Sequence, residues 1–163
     1  MSVEIKVQQF RIRCVTAYGP QETGPSTEVK TRFWAHLDSE VAAAESLGTG
    51  FILQMDANVW AGPELIPGDP NTQNYNGKLF EEFMTRNPHL TLVNSLQLCE
   101  GLIIRKRVAK QKVEQAILDF FIICDKVRPF LGKMIIDESR KHVLTNFNPI
   151  RVGPLKVTTI RSF

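Results

Sequence analysis

Apolar positions recur along the chain with two periods. Over residues 3–18, VEIKVQQFRIRCVTAY alternates apolar and polar in two short runs broken at Gln8-Gln9. That pattern predicts strand, turn and strand, or one bent strand. Pro20 and Gly24-Pro25 mark a loop. Ser26 or Thr27 then caps a helix that places Phe33, Trp34, Leu37, Val41, Ala44 and Leu47 on one face. Gly48 to Gly50 ends it, and Phe51-Ile52-Leu53 reads as a short buried strand. Residues 60–75 form a polar loop rich in Pro and Asn, and NGKLFEEFMTRN (76–87) predicts a short helix burying Leu79, Phe80, Phe83 and Met84. Strands are expected at 90–96, 101–108 and 115–124, and near 133–137 and 142–147. Strands alternating with helices, then a run of strands, predict an α/β or α+β fold around a mixed sheet, with residues 1–163 as a single domain.

Two carboxylates stand out against this pattern. FILQMDANVW runs from a buried strand into Asp56-Ala57-Asn58. Alternation with period two would aim Asp56 and Asn58 the same way. A turn closed by Asx side chains explains the pair; so does an active site at the end of a strand. Asp119, in QAILDFFIIC, sits among Ile117, Leu118, Phe120, Phe121, Ile122 and Ile123, where an ionised carboxylate is costly unless paired or hydrogen bonded. Tyr18 closes the first strand pair just before a loop, as a surface aromatic or a site residue.

Composition narrows the classes. Hydrophobic content of 43% and charged content of 23% are those of a globular protein, and the net charge of +3 permits an anionic partner without demanding one. Cys14, Cys99 and Cys124 lack metal-like spacing and read as packed thiols of an intracellular protein. No apolar run reaches bilayer length, so no membrane partner is expected. The basic stretch IIRKRVAKQK (104–112) suits phosphate contacts or the solvated face of a hairpin. Of the three histidines, His36 and His89 read as surface residues, and His142 is the one imidazole placed for chemistry. There is no Gly-rich phosphate loop, nucleophile elbow or zinc motif.

Taken in order, VTAYGPQ, FILQMDANVW, NGKLFEEF, LTLVNS and AILDFFIICDKV resemble the endonuclease/exonuclease/phosphatase superfamily, with the apurinic-type endonuclease domains of animal non-LTR retroelements as the nearest flavour. The resemblance runs over nearly the whole chain. It implies a four-layer α/β sandwich of two mixed β-sheets flanked by helices, and Mg²⁺-dependent cleavage of phosphodiesters in DNA. It further implies that Tyr18 touches the scissile phosphate and that Asp56 orients and deprotonates the attacking water. Asn58 would hold the phosphate and Asp56, and Asp119 would orient a catalytic histidine.

The chain departs from that pattern in two places. The early strand ending in Asn and the next bearing a metal-binding Glu would lie upstream of a strand matching residues 10–18, so the fold is expected to be incomplete at its N-terminus. The closing Ser-Asp-His is absent. Either Arg140-Lys141-His142 is its altered form, with His142 as the imidazole, or the motif belongs near Thr158 to Phe163, where TTIRSF offers neither Asp nor His. Two outcomes stay open: an impaired Mg²⁺-dependent nuclease, and an inactive remnant that retains nucleic-acid or protein binding. An exposed sheet edge would invite self-association.

Overall fold

A computed structural model describes residues 1–7, 9–101, 105–109, 112–136 and 150–152. The first alternating runs are strands β1 (Ser2–Val7) and β2 (Phe10–Tyr18), paired antiparallel. Helix α1 (Thr27–Ser46) follows, with Ser26 Oγ accepting from the Val29 amide as its cap. Strand β3 (Gly50–Asp56) returns parallel to β2, as a strand–helix–strand crossover requires. Helix α2 (Tyr75–Arg86) leads to β4 (Leu90–Leu92) and a 3₁₀ turn over Val93–Ser95. Then come β5 (Cys99–Glu100), the hairpin β6 (Arg105–Ala109) and β7 (Lys112–Ala116), β8 (Asp119–Cys124), β9 (Met134–Ile136) and β10 (Ile150–Val152).

Among the described residues the strands form a mixed sheet of order β1-β2-β3-β8-β4, a small sheet β10-β9-β5, and the β6–β7 hairpin. With the helices this makes the layered α/β sandwich expected of the chain. The two faces of the main sheet differ. Val15, Phe51, Leu53, Met55, Phe120 and Ile122 point to one face, and all are buried. Helices α1 and α2 cover it: Trp34 stacks on Phe80 with ring centroids 5.5 Å apart, and Phe80 meets Phe120 at 4.9 Å. Arg13 ties the sheet to α1 through Glu40 at 2.7 Å. The opposite face carries Cys14, Thr16 and Tyr18 of β2, in register with Ile52, Gln54 and Asp56 of β3. Those in turn face Ile123, Phe121 and Asp119 of β8.

Several expectations change. Leu47 is 62% exposed because it is the C-cap of α1, past the last turn that faces the core. The strand predicted at 90–96 stops at Leu92, because Asn94 replaces backbone pairing with a side-chain bridge to β8. The strand predicted at 115–124 is two strands. The chain breaks at Ile117-Leu118, where the Leu118 carbonyl accepts from Ala57 N–H at 2.9 Å, so Asp119 begins β8 rather than sitting in its middle. His89 is half-buried rather than on the surface, with Nε2 3.3 Å from Glu45. The strand expected at 142–147 lies outside the described residues.

The aromatic contact between helices and sheet dominates this core. Phe80→Ala should cost about 3–5 kcal/mol in urea unfolding, since it opens a cavity between Trp34 and Phe120. An exposed control such as Val29→Ala should change stability by no more than about 0.5 kcal/mol.

Candidate active site

The register of three strands assembles the site. Tyr18 pairs with Asp56 across β2 and β3, and Asp56 pairs with Asp119 across β3 and β8. In-register positions share a face, so the three side chains stand in one row at one end of the face opposite α1 and α2. Burial pushes the Asp119 carboxyl up to about 6, and the negative charge of Asp56 beside it adds to the shift.

Asn58 joins the row by a route that period-two alternation misses. Strand β3 ends at Asp56, and Asn58 adopts a left-handed conformation with φ 50°. Its N–H donates to Asp56 Oδ1 at 3.1 Å, so the Asx turn forms, and its Nδ2 donates to the Gly19 carbonyl at 2.9 Å. The loop after β2 is thereby tied to the loop after β3. Gly19 N–H donates to the Asp56 carbonyl at 2.6 Å, and a Cβ at Gly19 would lie 2.4 Å from the Ala57 carbonyl oxygen. Only glycine permits that approach.

Two further asparagines hold the site and were not singled out from sequence. Asn76, fully buried in the first turn of α2, donates through Nδ2 to the Pro20 carbonyl at 2.7 Å and the Asn58 carbonyl at 3.4 Å. Asn94 donates to the Asp119 carbonyl at 3.1 Å and accepts from Phe121 N–H at 2.9 Å, bracing the start of β8. The signal for Asn94 was its place directly after an apolar strand, the same placement that drew attention to Asp56. The loop between β3 and α2 is set by Asp69, whose carboxylate accepts from Gly62 N–H at 3.1 Å and Asn71 N–H at 2.9 Å. Asn74 Oδ1 accepts from both Trp60 N–H and Gly77 N–H, at 3.2 and 2.8 Å.

Tyr18, 66% exposed, stands at the open side of the row. His142 lies outside the described residues. Among the described residues no three His, Cys, Asp or Glu side chains gather where they could hold a metal. The donor chemistry of the Asp56–Asp119 pair suits a hard cation such as Mg²⁺, but the pair by itself does not make a protein cage.

No protein-family model matches the chain, and no curated protein matches it by sequence. Solved structures do. The endonuclease domain of TRAS1, a telomere-specific non-LTR retrotransposon, superposes with a TM-score of 0.65 at 16% identity, over 96% of this chain and 63% of that one. The 3′-5′ exonuclease NExo from Neisseria meningitidis gives 0.63 at 14% identity, over 94% and 64%. The catalytic domain of Xenopus laevis APE2 gives 0.66 at 13% identity, over 90% and 50%. This chain therefore has the endonuclease/exonuclease/phosphatase fold, and it spans less than two thirds of the length of each of these structures.

The Asp119 shift has a stability consequence. The folded carboxyl holds its proton up to about pH 6, the unfolded one only to about 4, so the folded state binds more protons between those values and stability falls as pH rises through that window. Asp119→Asn should therefore raise the unfolding temperature at pH 8, by about 1 kcal/mol equivalent once solvent screening is allowed for. The gain should vanish below about pH 4, where both side chains are neutral. Thermal melts of the two proteins across pH 3.5–8 measure it.

Proposed function

We propose that this site hydrolyses phosphodiester bonds in DNA with the help of Mg²⁺, and that in the present chain it does so poorly. The observation that carries the reading is the single row of Tyr18, Asp56 and Asp119 across three neighbouring strands, with Asn58 tethered beside it. In-line attack on phosphorus needs a positioned water, donors for the phosphate oxygens and relief of the negative charge that spreads in the transition state. Asp56 takes the proton of the attacking water. Asn58 spends one amide N–H on Gly19 and offers the second to a phosphate oxygen, which keeps the phosphate over Asp56. Tyr18, on the open side, donates its hydroxyl to the same phosphate.

Asp119, poised to titrate near pH 6, is suited to orient an imidazole, for which His142 is the candidate in the sequence. Mg²⁺ would neutralise phosphate charge when bound, and the carboxylate oxygens of the row are donors whose chemistry suits it. DNA-processing enzymes of this fold support nucleic acid as the substrate. Among the described residues no helix is long and apolar enough to cross a membrane.

The impairment rests on the sequence's departure from the family pattern, whose closing Ser-Asp-His is absent. Groups that act as a unit lose most of their combined rate when any member is missing. The second reading, a remnant that binds nucleic acid without cutting it, draws on the same departure.

Incubation with supercoiled plasmid in Mg²⁺ tests both readings. Slow nicking that disappears in Asp56→Ala and in chelator is the expected result. Nicking that survives Asp56→Ala would remove the assigned site. Fast nicking lost in Asp56→Ala would keep the site and overturn the impairment.

A further inference from the structure

The exposed aromatic rings of this protein are not scattered. Among the described residues, Tyr18, Trp60 and Tyr75 are the Phe, Tyr and Trp side chains that stand exposed, at 66, 47 and 40%. Rings elsewhere, such as Trp34, Phe80 and Phe120, pack into the core. All three exposed rings are carried by segments that hydrogen bonds join to the loops after Tyr18 and Asp56. Tyr18 is in that row. Trp60 follows Asn58 by two residues, and its N–H is fixed to Asn74 Oδ1 at 3.2 Å. Tyr75 is the next residue after Asn74 and opens α2.

The segments bearing the rings are locked to one another. Asn58 holds the loop after Tyr18 through Gly19, and Asn76 holds Asn58 and Pro20 together. A Cβ at Gly77 would lie 2.0 Å from the Trp60 carbonyl oxygen, so the start of α2 and the Trp60 backbone touch with no room between. Beneath the Tyr75 ring lies the ammonium of Lys30, 5.5 Å from the centroid and held by the Glu22 carbonyl at 2.5 Å. Lys30 is 6% exposed, so it fixes one side of the ring rather than serving as a mobile surface charge.

Leaving three large rings in water on these joined segments forgoes their burial in the core. Rigidly mounted, exposed aromatic faces beside a phosphate-handling site are what nucleobases stack on, and every base offers a π-face whatever its identity. Paired bases inside a duplex do not present those faces.

We propose that Trp60 and Tyr75, with Tyr18 at the phosphate, form a stacking platform for unpaired nucleobases, so that the site takes single-stranded or locally unpaired nucleic acid in preference to intact duplex. The proposal deepens the phosphodiesterase reading by naming its substrate class, and it rests on that reading for the role of the phosphate next to Tyr18. Binding by the platform does not require hydrolysis.

Tryptophan fluorescence reads it directly, because Trp34 is 2% exposed and Trp60 is the tryptophan that a base can reach. The full chain is titrated in chelator, where metal-assisted cleavage is silent, with a single-stranded DNA oligonucleotide, its RNA counterpart, the same DNA as a blunt duplex, and an abasic DNA backbone of equal length. Quenching by the single strands, weaker by about tenfold or more for duplex and abasic backbone, is the expected result. The DNA and RNA arms show which sugar the site accepts. Tyr75→Leu should weaken single-strand binding about tenfold, whereas Tyr75→Phe and Trp60→Phe, which keep a ring, should retain it as followed by polarisation of a labelled strand. Equal binding of duplex or of abasic backbone, or no loss in Tyr75→Leu, would overturn the platform. Stacking observed in a chain that does not nick plasmid would leave the platform standing and remove only the hydrolytic reading.

Discussion

Strand β3 is the constraint on which the rest of the molecule depends. It pairs parallel with β2 and antiparallel with β8, and its alternate residues Phe51, Leu53 and Met55 must all face the helices. A slip of one residue against either neighbour would turn those side chains outward and drive Gln54 and Asp56 into the core. The hydrophobic demand of one face therefore fixes the polar register of the other. The row of Tyr18, Asp56 and Asp119 is set in line by the burial of Phe51, Leu53 and Met55.

Beyond the strand ends, side-chain amides take over from the ladder. At and beyond the strand ends, Gly19, Pro20, Asn58 and Asp119 carry carbonyls that still need donors. Asn58, Asn76 and Asn94 supply them, each bridging segments remote in sequence. An amide suits this task because it is short, uncharged and carries two N–H groups. A carboxylate could not donate, and a lysine would bring a charge that the neighbouring backbone does not need.

The sequence made some of this legible and hid the rest. Asp56 and Asp119 could be found because an isolated carboxylate in an apolar run is expensive, and that expense is a local property. Tyr18 was visible as the last residue of an alternating strand. Asn58 was named for the wrong geometric reason: alternation places it on a strand that has already ended, and only its left-handed backbone brings it back. The division of residues 112–124 into two strands was hidden, because Ile117 and Leu118 are as apolar as their neighbours and the break depends on Ala57 reaching the Leu118 carbonyl. Asn76 and Asn94 were passed over for the same cause. Their partners lie on other elements, and a buried amide looks like a helix-start or loop residue until those elements meet.

The pairing of β3 with β8 joins parts of the chain that are synthesised far apart, with α2, β4 and the β6–β7 hairpin between them. Closing so long a loop is entropically slow, and contacts of this kind form after local helices and hairpins. The Ala57 amide, bonded to the Leu118 carbonyl, is made only when that closure is complete. Its hydrogen-exchange protection therefore reports on that closure. A nascent chain that had finished α1, β3 and α2 would already own Asp56 and Asn58, yet would have no Asp119 opposite them until β8 arrived.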